Sequence, residues 1–178
     1  KEEEEARRTL ERIERRIRKA LKEIDETLKR LNDHSAKRVK EVREKHEESR
    51  RKVDDVSRRG TDDDVARRLK RENDEINKRI EDTVRDHKRR LDKILKDIKK
   101  RLDDIKRDLD RVAKELRERN VQTEEIRERV KRIKEEMDRA LKRLKDKVKE
   151  NKERIDEVLK DLRRTSKEIK ERLDRSTK

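Results

Sequence analysis

Residues 91–109 read LDKILKDIKKRLDDIKRDL: Leu91, Ile94, Ile98, Leu102, Ile105 and Leu109 recur at steps of three and four, with charged residues nearly everywhere between them. That spacing stacks the six on one face of an α-helix. A half-buried strand would alternate apolar and polar residues, and no stretch of the chain does so. From Leu91 to Leu109 is eighteen residues, or five turns at about 3.6 per turn. The same interval separates Asn73 from Leu91, and it recurs from Ile126 to Leu144 to Leu162. A heptad seam has 3.5 residues per turn and supercoils, so this period predicts nearly straight helices.

Working outward, the seam of residues 91–109 extends from Val65 to Leu116, and similar seams run from Ala6 to Val56 and from Ile126 to Leu173. The first stops at Arg58-Arg59-Gly60-Thr61. Gly60, the one glycine, stands where a helix takes a left-handed residue, and Thr61 with Asp62, Asp63 and Asp64 caps the helix that follows. The second stops at Arg119-Asn120, asparagine being the next choice for that position, and Thr123-Glu124-Glu125 opens a third helix. The reading is helix 1 over about 2–58, helix 2 over about 62–119 and helix 3 over about 123–175, with frayed chain ends. Turns this short make successive helices antiparallel neighbours. The predicted fold class is all-α: one domain, residues 1–178, a long, nearly straight, antiparallel three-helix bundle running up-down-up, coiled-coil-like.

Composition bounds what such a bundle can do. The chain has 178 residues, 63 of them Lys or Arg and 48 Asp or Glu, and it lacks Pro, Cys, Phe, Trp and Tyr. Without cysteine there is no disulfide, thiolate metal site or cysteine nucleophile. Without aromatics there is no platform for stacking bases. No apolar run exceeds two residues, which excludes a transmembrane helix or signal-peptide core and predicts a soluble protein with no membrane role. The net charge of +15 is spread evenly over the three helices with acids interleaved, so only non-specific adhesion to polyanions is expected.

Seven seam positions are polar: Ser35, His46, Ser49, Asn73, His87, Asn151 and Ser166. With short turns, residue i of helix 1 lies opposite about 120 − i on helix 2, and residue i of helix 2 opposite about 242 − i on helix 3. His46 then shares a level with Asn73 and Ser166. His87 shares one with Ser35, its neighbour His34, and Asn151. Scattered polar residues thus collapse into two layers, each drawing on all three helices. An unpaired buried amide or imidazole costs about 1–3 kcal/mol, so such layers favour the one register in which the groups meet.

These features resemble de novo designed helical bundles, in particular computationally designed three-helix bundles with buried hydrogen-bond networks. The likeness rests on the GTDDD turn at Gly60–Asp64, the eighteen-residue spacing, the Lys/Arg/Asp/Glu surfaces, the Leu/Ile/Val seams and the isolated core polar residues. It implies a hyperstable structural scaffold with no natural biochemical function. The rival reading is a designed interaction component, part of a heteromeric or pH- or partner-switchable bundle that accepts another helix or self-associates. The narrow apolar stripe favours a monomer that needs no partner.

No catalytic, cofactor or metal site is expected. His46 lies about twelve residues, roughly 18 Å, along helix 1 from His34, so the three histidines cannot share one ion. Two histidines with Asn and Ser make a poor zinc set. No phosphate loop, H-E-x-x-H or calcium loop is present, and Ser, His and Asp have no cleft in which to converge.

Overall fold

The computed structural model describes residues 2–59, 63–121 and 123–176. Three helices account for nearly all of them: α1 (Glu2–Arg59), α2 (Asp63–Glu118) and α3 (Glu124–Ser176). Each has acids in its first turn, and α1, running from Glu2–Glu5 to Arg58 and Arg59, matches the helix dipole at both ends. The fold is an all-α three-helix bundle. The turn expected at Gly60-Thr61-Asp62 lies outside the described residues, while Asp63 and Asp64 form the first turn of α2.

The second turn shows how α2 stops two residues before Asn120. Asn120 has φ 55°, its N–H donates to the Arg117 carbonyl (3.1 Å), and the Val121 N–H donates to the Leu116 carbonyl (3.1 Å). These are the two bonds of a Schellman motif, and buried Leu116 and Val121 supply its apolar side chains. Thr123 Oγ1 then accepts the Ile126 N–H (3.3 Å) as the N-cap of α3.

The chain divides into two compact units, each built from parts of all three helices: Lys1–Lys29 with Leu91–Glu150, and Arg30–Arg90 with Asn151–Lys178. In the first unit every described buried residue is apolar, among them Leu10 and Ile17 of α1, Leu102 and Leu109 of α2, and Ile133 and Met137 of α3. Ion pairs run along its edges: Arg16–Asp108 (2.7 Å) and Glu23–Arg101 (2.5 Å) join α1 to α2, and Glu14–Arg129 (2.9 Å) joins α1 to α3.

The second unit carries two apolar clusters. Val42, Ile76, Ile80 and Leu162 form one, and Val53, Leu69, Ile169 and Leu173 the other. Ion pairs give the helix directions here. As α2 advances through Lys70, Glu81 and Lys88, its partners on α3 retreat through Asp174, Arg163 and Asp156. Lys52 of α1 reaches Glu72 of α2 (3.9 Å). Such exposed pairs are worth about 0–1 kcal/mol each, against about 1.5–3 kcal/mol for a fully buried Leu or Ile, so the clusters hold the unit together.

Candidate functional site

Among the described residues six polar side chains are buried, all in the second unit: Ser35, His46, Ser49, Asn73, His87 and Ser166. Along α2 and α3 the stretch between the two apolar clusters carries one of them each, Asn73 between Ile76 and Leu69 and Ser166 between Leu162 and Ile169, and along α1 it carries two, His46 and Ser49, between Val42 and Val53. His46, Asn73 and Ser166 meet. His46 Nε2 lies 2.9 Å from Ser166 Oγ, and Asn73 Nδ2 donates to the Ser166 carbonyl at 2.9 Å. A serine hydroxyl both donates and accepts, so it serves either neutral imidazole tautomer. Asn73 and Ser166 are each only 1% exposed, so water cannot replace these bonds.

A second pair joins Ser35 Oγ of α1 to His87 Nδ1 of α2, both residues buried. Asn151 is half-buried and lines one groove with Ser35 and His87. Ser49 is buried and lines a separate groove of about 410 Å³ between α1 and α2, whose other walls include Glu72, Glu75 and Arg79.

His34 departs from the expectation. It is exposed, because one residue's step rotates it about 100° around α1 from buried Ser35. Sharing a level did not put it in the core. In the other direction, Asn77 was not singled out by its position, yet its Oδ1 is buried with no donor, as is Asn73 Oδ1. Asn77 lies one turn beyond Asn73, which was the available signal.

Burial sets the acid–base character of the layers. It pushes the His46 imidazole below its ordinary value of 6.5, and the charges of Arg50 and Arg43 push the same way. For His87 burial again leads in lowering the pKa, Arg90 adds to it, and Asp86 acts against it. Neutral imidazoles hydrogen-bonded to hydroxyls can fix geometry and resist protonation. Among the described residues no group of three or more His, Cys, Asp or Glu side chains could hold a metal ion, and no helix is long and apolar enough to cross a membrane.

A family model described as "Domain of unknown function (DUF1978)" matches residues 63–177, which take in α2 and α3. A solved structure titled "Computationally designed three helix bundle" is similar at 18% identity, over 98% of this chain and 88% of that chain, with a TM-score of 0.43. No curated protein matches the chain.

Proposed function

The chain belongs to the family described as Domain of unknown function (DUF1978), and on that premise we propose that it is a structural scaffold whose buried polar groups hold its helices in one register. The observation that carries this reading is the meeting of His46, Asn73 and Ser166 from three different helices between two apolar clusters. Apolar side chains tolerate sliding and repacking; a buried imidazole and amide do not, because a slipped register leaves them unpaired.

The scaffold is a monomer that needs no partner, is not an enzyme, and meets polyanions only through non-specific charge. The absence of exposed large hydrophobics among the described residues supports the first point, since no apolar face awaits a helix. The burial of both Ser–His pairs supports the second. A designed origin of this sequence is supported by its single glycine, its lack of proline and aromatics, and its charged surface.

Replacing the layer tests the register role. His46→Leu, Asn73→Leu and Ser166→Ala together are expected to keep the helical circular dichroism but broaden the amide NMR spectrum or yield mixed oligomers. The parent should elute as one species of 22.0 kDa by light scattering. A triple variant as monodisperse and as well dispersed as the parent overturns the register role; a parent at twice that mass overturns the monomer.

A further inference from the structure

A groove of about 390 Å³ opens between α1 and α3 in the second unit, with Val39, Ile155 and Val158 among its apolar walls and His87 beside them. Its volume lies within the range of about 300–1,000 Å³ usual for small-molecule sites, and its lining has the usual makeup of apolar walls with a few polar groups. Val39 and Val158 are only half-buried, although both pack on the Val42–Leu162 cluster. The groove also holds two opposite charges that do not meet. Asp33 of α1 and Arg154 of α3 are exposed, line the same groove, and form no ion pair among the described residues. Farther along these two helices Arg50–Glu168 (3.5 Å) and Asp54–Arg172 bridge the edge, each 118 residues apart in the chain. Asp33 and Arg154 stand at nearly that interval, with the groove where a bridge would otherwise close it.

The geometry points to a small-molecule site that takes a zwitterionic aliphatic amino acid, its ammonium on Asp33, its carboxylate on Arg154 and its side chain on Val39, Ile155 and Val158. A simple carboxylate would meet Arg154 but be repelled by Asp33, and a simple amine the reverse. A zwitterion satisfies both and lays its branched carbon chain on apolar surface that the helices leave partly wet.

NMR titration of the full chain with L-leucine, 4-methylpentanoate and 3-methylbutylamine at constant ionic strength tests the site. Leucine is expected to shift the amides of Val39, Ile155 and Val158 and the His87 ring, saturating in the millimolar range, with each analogue at least tenfold weaker. Asp33→Asn and Arg154→Gln, both at exposed positions, are each expected to weaken leucine binding about tenfold with unchanged circular dichroism. No saturable shift with leucine, equal binding of either analogue, or full leucine affinity in both variants overturns the proposal. The analogue comparison uses the parent protein and stands apart from the fate of any variant.

Discussion

His46 of α1 and Ser166 of α3 meet Nε2 to Oγ at 2.9 Å, 120 residues apart in the chain. Other bonds between α1 and α3 keep similar separations: 118 for Arg50 with Glu168, 122 for Asp25 with Lys147, 115 for Glu14 with Arg129. The buried bond therefore sits at the interval the helix register sets. A slip of one turn would move the two groups about 5.4 Å apart along the axis and break it, whereas flexible surface arginines and lysines could follow such a slip.

Ser166→Ala removes the hydroxyl and leaves His46 Nε2 buried without a partner, so a loss of about 1–3 kcal/mol is expected in guanidinium denaturation. Asn73→Leu is expected to act in the opposite sense. Its Oδ1 already lacks a donor, and Leu matches the apolar neighbours, so stability stays level or rises. A larger loss for Asn73→Leu than for Ser166→Ala would contradict this ordering.

The second turn makes an independent prediction. Asn120 holds φ at 55°, a conformation that costs most residues about 1–2 kcal/mol but suits glycine. Asn120→Ala should therefore destabilise by about 1 kcal/mol and Asn120→Gly should not. Thr123→Ala, which removes the N-cap acceptor for Ile126, should cost about 0.5–2 kcal/mol. Melting temperatures of the three variants under one set of conditions decide the matter.

Much of this architecture was legible in the sequence because short turns convert position along the chain into height in the bundle. Subtraction alone put His46 level with Asn73 and Ser166, and Ser35 level with His87, which are the residues that bond. Height does not fix direction around a helix, so His34 was grouped with Ser35 although it faces water. Nor does a one-helix pattern reveal partners across an edge. Asp97–Arg101 and Glu168–Arg172 have the spacing of pairs within a helix, yet Arg101 reaches Glu23, Glu168 reaches Arg50 and Arg172 reaches Asp54. Long side chains flanking a seam stretch toward the neighbouring helix, and that choice depends on packing.

The lowered histidine pKa values carry a pH dependence whose sign follows from proton counting. In the unfolded chain both imidazoles titrate near 6.5; in the folded chain His46 and His87 resist protonation until lower pH, chiefly because they are buried. Between those values the unfolded state binds more protons, so unfolding becomes easier as pH falls. Stability is fully present above about pH 6.5, declines below it, and levels off only once the folded-state histidines also protonate. The decline cannot exceed about 1.4 kcal/mol per pH unit for each histidine. A protonated His46 would still reach Ser166 Oγ, but Arg50 and Arg43 oppose the added charge. Guanidinium midpoints should fall from pH 7.5 to pH 5, and His46→Leu with His87→Leu should remove most of that fall. Exposed pairs such as Asp54–Arg172 and Asp108–Arg16 hold their carboxylates below the usual range, so their loss belongs to more acidic solution and leaves this window to the histidines. Equal midpoints at the two pH values, or a double variant with an undiminished fall, would show that the buried imidazoles do not govern it.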